Sequence, residues 1–312
     1  MKGEQHKRHH YIPQNYLKNF SSNEKSVWVY NKQKKDEKIY QQAVANICCK
    51  EDFYSLEGIY SDKLLIEKDF FANNIEPIFS NMLKDIIKKG SKYLEDKIAE
   101  VILTPEEKYQ FAYLLSIQWF RTPFQRQSIN YLSQDIISQI IPIFKEGMAL
   151  ETGNENYRKL DIQPNINPIL EQAKVGYMNR ELLDLYANAL TNNYWEFFIT
   201  PMNDVYTSDF PITVKMHIPD ARPMFEGLAC HGSELTYPIS KNICLTIWDR
   251  EFFSTKKVKD SYFTDMSDRD LIHFNTYRYV YANEVYCYEN KFQELLQIYL
   301  LKGEELYGLK KK

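Results

Sequence analysis

The chain has 312 residues, long enough for a sizeable buried core. Its content of 26% charged and 44% hydrophobic residues is that of an ordinary globular protein and excludes a disordered or fibrous chain. A formal net charge of -3 excludes a global pull toward nucleic acid or an anionic membrane, while 24 Tyr and 18 Phe supply flat groups for core packing or base stacking.

The opening MKGEQHKRHH has no apolar segment behind its positive charges, and no run reaches the ~18 apolar residues of a membrane span. A cytoplasmic protein without membrane contact is the expectation. The cysteines agree: Cys48, Cys49, Cys230, Cys244 and Cys287 are odd in number and lack CxxC spacing, which points away from a disulfide framework or a cysteine zinc site. No repeat or low-complexity linker divides the chain, so residues 1–312 are read as one domain. The excess of Lys and Arg over acids in residues 1–50 reads as solvated surface.

In chain order, His9-His10-Tyr11-Ile12-Pro13 is expected to be extended, because the residue before a proline avoids the helical region. Pro13 then starts a short helix that places Tyr16, Leu17 and Phe20 on one face. Val27 to Tyr30 reads as a strand; Lys38 to Cys49 and Asp52 to Leu56 are weaker strand candidates that would complete a small N-terminal sheet. Ser61 to Gly90 has a helical period, with a kink near Pro77 and a glycine stop at Gly90. Thr104-Pro105-Glu106-Glu107 combines an N-cap, a proline at the first helical position and a capping-box glutamate, and the helix it opens is expected to break at Pro123 and resume until Pro142. Residues 151–167 read as an exposed connection, and Ile169 to Leu190 as a helix weakened by Gly176. Strand character returns at Trp195 to Thr200, Val205 to Thr207 and Ile243 to Trp248, around a loop holding His217 and His231. Ser267-Asp268-Arg269-Asp270 caps a helix to about Asn283, followed by a strand at Val285 to Tyr288 and a last helix near Phe292 to Leu301. The sum is an α+β fold, predominantly helical, with central helices, a small N-terminal sheet and C-terminal strands.

At about 100° per residue, Leu64, Phe71, Ile75, Ile78 and Met82 share a stripe of the first long helix, and Glu67 falls beside its centre. On the next helix Gln118 lies within the apolar stripe and Arg121 at its border. Unpaired buried charge is costly, so Glu67 and Arg121 are expected to satisfy each other or a third group, either as a structural ion pair or as the floor of a polar pocket. Asn275 and Arg278 intrude in the same way on the stripe of Leu271, Phe274 and Ala282.

No Walker loop, GxGxxG, HExxH, GxSxG or EF-hand loop occurs. What remains is dispersed: His9 or His10 as acid or base, with at most one entering a given site because neighbours in an extended chain point to opposite faces, and Asp209 after a short strand, which suits an Asx turn, a base or a metal ligand. Carboxylate, histidine and carboxylate together suit Mg²⁺ or Mn²⁺, and Arg121 suits a bidentate grip on a phosphate.

His9-His10-Tyr11-Ile12-Pro13-Gln14, with Tyr16-Leu17 and Phe20, resembles the His-His-Tyr-Val-Pro-Gln opening of the bacterial family called domain of unknown function 4238. The resemblance extends through Asp52-Phe53-Tyr54, Glu67, Arg121-Thr122-Pro123, Arg126, Ser208-Asp209-Phe210-Pro211, Pro238, Ser240, Asn275 and Tyr279 to Ala282, and so covers the chain from His9 to about Tyr288. It implies that these polar residues travel together; Phe210 stands where the family usually has asparagine. The expectation is a metal-dependent hydrolase of phosphodiester or nucleotide substrates, in the setting of a nuclease effector of bacterial antiviral defence with a protein partner there. Catalysis would fall to His9, His10, Glu67 and Asp209, metal ligation to Glu67 and Asp209, and substrate binding to Gln118, Arg121, Arg126 and Asn275. The alternative is a non-catalytic sensor or adaptor with a structural polar core.

Overall fold

The computed structural model describes residues 8–36, 38–56, 63–218, 227–289 and 292. A mixed α+β architecture is built around a five-stranded sheet in the order β10-β5-β9-β8-β7. Its strands are β5 (Tyr194–Ile199), β7 (Thr213–Met216), β8 (Ser233–Ser240), β9 (Ile243–Trp248) and β10 (Tyr262–Asp265). β10 runs parallel to β5 and every other pairing is antiparallel. Both central strands β8 and β9 are buried at every residue, because helices cover the two faces of the sheet.

Alternation along the strands sorts the side chains between those two layers. Trp195 and Tyr237 point to one face, where Phe111 and Phe79 meet them. Those rings come from α2 (Glu76–Asp96) and α3 (Pro105–Phe120). Phe198 points to the other face and packs on Phe274 of α7 (Asp268–Tyr281). There the buried Arg278 guanidinium donates to the hydroxyls of Thr213 and Thr236 at 2.7 Å each, so the charge that interrupts the apolar stripe of α7 is spent on the sheet.

The N-terminal segment is placed by two smaller sheets. β1 (Arg8–His10) pairs antiparallel with β4 (Cys49–Glu51), setting His10 opposite Cys49. β2 (Ser26–Asn31) and β3 (Ile39–Ala43) do not close a separate N-terminal sheet as expected: β11 (Glu284–Cys287) and β6 (Thr207–Ser208), from the far end of the sequence, continue it in the order β3-β2-β11-β6. Asp52 to Leu56 forms a turn rather than a strand. The short helix α1 (Gln14–Leu17) docks on the main sheet through Tyr16, whose hydroxyl meets Thr207 at 2.6 Å and the Pro238 carbonyl at 2.9 Å.

Several helical expectations are corrected. The first long helix opens as a π-helical segment, Ile66–Ile75, before α2, and that wider winding resets the face: Phe79, Leu83, Ile86 and Gly90 are buried, whereas Ile78 is exposed. Gly90 does not stop the helix, which runs on to Lys97 in a left-handed cap; it lets α2 lie close on the sheet, since a Cβ there would come within 2.7 Å of Ile243 Cδ1. Pro123 begins α4 (Pro123–Thr152), with Thr122 as its N-cap, and the helix continues through Pro142. The helix expected over Ile169 to Leu190 is broken into α5 (Pro168–Glu171), a π-helical turn Gln172–Tyr177 and α6 (Arg180–Thr191), with Gly176 pressed against the Phe120 ring. The capping boxes at Thr104 and Ser267 form as expected, the second with Asp270. β7, β8 and β10 were not anticipated. The last expected helix beyond Phe292 and the start of the first at Ser61 lie outside the described residues. All five cysteines are free. No helix among the described residues is long and apolar enough to cross a membrane.

Candidate functional site

The turn after β4 sets Tyr54 beside the opening segment, and Tyr54 is the point on which most of the expected site residues converge. The His9 ring stacks on it with centroids 5.9 Å apart and 8° between planes, while the Tyr54 amide donates to His9 Nδ1 at 2.9 Å. Arg121, in the capping turn of α3, donates through Nε to the Tyr54 hydroxyl at 3.3 Å, and that hydroxyl donates to the Arg121 carbonyl at 3.2 Å. Arg126, one turn into α4, lies with its guanidinium carbon 3.5 Å from the Phe53 ring centre and 5.9 Å from that of Tyr54. Glu67 is within electrostatic reach of the same hydroxyl, which burial raises to a pKa of about 12 against the opposing pull of Arg121.

Arg121 is 1% exposed and engaged through Nε and Nη2. Nη2 donates to the His10 carbonyl at 2.6 Å and to Glu76 Oε1 at 3.0 Å, and the guanidinium carbon sits 3.9 Å over the Phe71 ring. Burial works to lower its pKa, but Tyr54 and Glu76 outweigh it and hold the group above its ordinary value. The third group anticipated for this charge is therefore Glu76. That residue escaped sequence reasoning because the π-helical winding ahead of α2 shifts the face on which it sits; the signal was an acid at the first turn of α2.

Among the described residues of this cluster, Glu67 Oε2, Arg126 Nη2 and the Tyr177 hydroxyl are buried without a hydrogen-bond partner. Burial lifts the Glu67 carboxyl to about 7, with Arg121 pulling it down and Glu76 pushing it up. Burial also lowers the His10 imidazole below its ordinary value, opposed by Glu76 and by hydrogen bonding to the Ala45 and Val44 backbone and assisted by Arg121. His10 points away from His9, as extended backbone requires, and its Nδ1 meets the Gln14 amide at 3.4 Å. Arg126 donates through Nε to Gln172 Oε1 at 2.7 Å, and burial lowers its pKa; no carboxylate among the described residues pairs with it.

The other expected residues lie elsewhere or serve the backbone. Asp209 opens onto a separate pocket of about 150 Å³, lined by Tyr11, Thr122, Pro123, Phe124, Phe210, Tyr281 and Asn283, which His10 and Glu67 do not line. Its Oδ1 accepts from the amides of Asn283 and Glu284 at 3.0 and 3.2 Å, and burial raises its carboxyl to about 6 against those bonds. Gln118 donates to the Tyr11 carbonyl at 3.0 Å. Asn275 takes the Tyr206 amide at 2.9 Å and gives to the Asp204 carbonyl at 2.8 Å, fixing α7 to the loop before β6. No group of three His, Cys, Asp or Glu among the described residues is arranged to hold a metal ion.

The chain is thus an α+β protein whose opening segment is clamped at the centre of a buried polar cluster. It belongs to the family described as protein of unknown function (DUF4238), whose model matches residues 8–291. No curated protein and no solved structure matches it.

Proposed function

We propose that this protein is a hydrolase of phosphodiester or nucleotide substrates, in which Arg126 receives the phosphate and His10 and Glu67 transfer protons. The observation that carries this reading is Arg126: a guanidinium largely removed from water, braced on Phe53 and Gln172, with a donor left over and no carboxylate among the described residues. Such a cation is preorganised for an anion, and its interaction strengthens as charge builds on the phosphoryl oxygens in the transition state. His10, kept neutral by burial, takes the proton of the attacking water as its oxygen bonds to phosphorus. Glu67, protonated below about 7, returns a proton to the oxygen that leaves. Arg121 acts through the His10 carbonyl and Glu76, positioning the opening segment.

Glu67 and Asp209 face different surroundings, so the reaction is not routed through a cation shared between them. Mg²⁺ and Mn²⁺ enter as arms of the assay, as do DNA, RNA and nucleotides, which also probe the role of a nuclease in antiviral defence. We expect turnover in at least one arm, lost in Glu67→Gln, His10→Asn and Arg126→Gln without loss of folding. The adaptor reading draws on a specific feature, the commitment of Gln118, Arg121 and Asn275 to main-chain groups. Absence of turnover on every substrate, or full activity in all three variants, would favour it.

A further inference from the structure

We propose that α4 pairs antiparallel with the α4 of a second copy of this chain, about a two-fold axis at Ile140. The helix is 30 residues long, yet only Gln125, Ile129 and Ala149 are buried on it. Its principal packing partners are α3, α5, the π-helical turn and the short turn at Glu155–Lys159, near its two ends. Between them Leu132, Ile136, Ile140, Ile143, Phe144 and Leu150 stand 47–73% exposed. At about 100° per residue these six fall on one side and form a stripe, while Phe124 and Tyr131, exposed nearer the start of the helix, lie off it. At on the order of 100 Å² each, they present roughly 600 Å² per copy, the upper end of what a monomer leaves bare and, doubled, the lower end of a specific interface.

The chemistry of the stripe selects its occupant. Between Arg126 and Lys145 the only charged residue is Asp135, on the reverse side of the helix from Ile140. That excludes a charged partner, and a helix lying in a membrane surface would carry Lys and Arg on its polar face, where this one has Gln134 and Ser138. The spacing is also its own complement. Three residues either side of Ile140 stand Ile137 and Ile143, four either side Ile136 and Phe144, and seven either side the small Ser133 and Gly147. An antiparallel pair about Ile140 sets each member of these couples against the other, large with large and small with small. Gly147 supplies an independent sign. A mid-helix glycine costs about 1 kcal/mol relative to alanine, and within the protomer a Cβ there would meet nothing within 4 Å. Close approach of a partner backbone gives it a reason. Pro142 projects from the reverse side and stays out of the contact.

Sedimentation of the full chain across a concentration series tests the pairing. The wild type should pass from the mass of one chain to that of two. Because the axis places residue 140 against itself, Ile140→Glu and Ile140→Lys should each remain monomeric at concentrations where the wild type is dimeric, with unchanged circular dichroism, and an equimolar mixture of the two should recover the dimer. A wild type that stays monomeric at the highest concentration overturns the proposal. So does a dimer that persists in Ile140→Glu, or flotation of a monomeric wild type with lipid vesicles that Ile140→Glu abolishes, which would assign the stripe to a membrane.

Discussion

Arg121 holds Glu76 at 3.0 Å and, through the same nitrogen, the carbonyl of His10, so one buried guanidinium ties the start of α2 to the opening segment of the chain. Three elements far apart in sequence depend on a single side chain that is 1% exposed.

Replacing Arg121 by methionine should therefore destabilise the fold by about 3–5 kcal/mol in urea denaturation, since Glu76, the His10 carbonyl and the Tyr54 hydroxyl all lose their donor. Glu76→Gln should cost less, because its carboxylate reaches solvent at 22% exposure. Arg121→Lys should not rescue, as a single ammonium cannot span Tyr54, Glu76 and the His10 carbonyl together. A lysine variant as stable as wild type would contradict the clamp.

Two carboxylates should give the stability profile opposite slopes. Glu67 has its folded pKa raised to about 7 from 4.5, so between those values the folded state binds more protons than the unfolded one. Its contribution falls as pH rises from about 4.5 to about 7 and is flat above. Glu234 is held at about 2: burial opposes its charge, but His217 and His273 donate to its two oxygens at 2.7 and 2.5 Å and prevail. Its contribution is complete above about 4.5 and is lost as pH falls toward 2. Melting temperatures of Glu67→Gln from pH 5 to 8 should lack the neutral-range decline, and the variant should exceed wild type at pH 8. Parallel curves would show that Glu67 is not perturbed in the folded state.

How much of this was legible in the sequence depended on the range of the interaction. Capping at Thr104 and Ser267 is local chemistry within four residues, and both boxes form. The burial of Arg121 and Gln118 followed from a regular α-helical period. Glu67 is turned inward as the stripe implied, but the face beyond it is not, because the π-helical winding over Ile66–Ile75 breaks the period on which the stripe was drawn. Glu76 was missed for the same reason. β11, which pairs with β2, and β6, which pairs with β11, lie some 180 to 260 residues from β2 in sequence, and no local pattern announces such a sheet. β8, buried on both faces, shows no alternation to betray it; Glu234 within it owes its charge to His217, expected in a loop, and to His273 of α7, which no sequence pattern singled out.

Gly90 gives a test of the close approach. In an exposed helix Gly→Ala stabilises by about 1 kcal/mol. Here the added methyl would lie 2.7 Å from Ile243 Cδ1 and 3.0 Å from Ile199 Cδ1, so Gly90→Ala should instead destabilise by about 1–3 kcal/mol, and Gly90→Val by more. Thermal melting decides between the signs; an alanine variant that melts higher would mean that α2 can lift from the sheet at no cost.

Arg126 should behave in the reverse sense to Arg121, although the two lie five residues apart and both stack on aromatic rings. Arg121 is paired, so its removal orphans other groups. Arg126 among the described residues has no carboxylate and a spare donor, so the folded state carries the cost of burying its charge without compensation. Arg126→Leu keeps an apolar contact for Phe53 and removes that cost, and its stability should equal or exceed that of wild type once the loss of the Gln172 bond is counted. The gain should come with a loss. Inorganic phosphate should raise the melting temperature of wild type in proportion to its occupancy of the site, by mass action on the folded state, and should leave Arg126→Leu unmoved. Arg126→Lys should retain part of the shift, since an ammonium still offers charge but not the planar fork. If Arg126→Leu instead unfolds as Arg121→Met does, the guanidinium is a structural strut. If it is stable and still responds to phosphate as wild type does, the anion is held elsewhere, and the assignment of Arg126 fails with it.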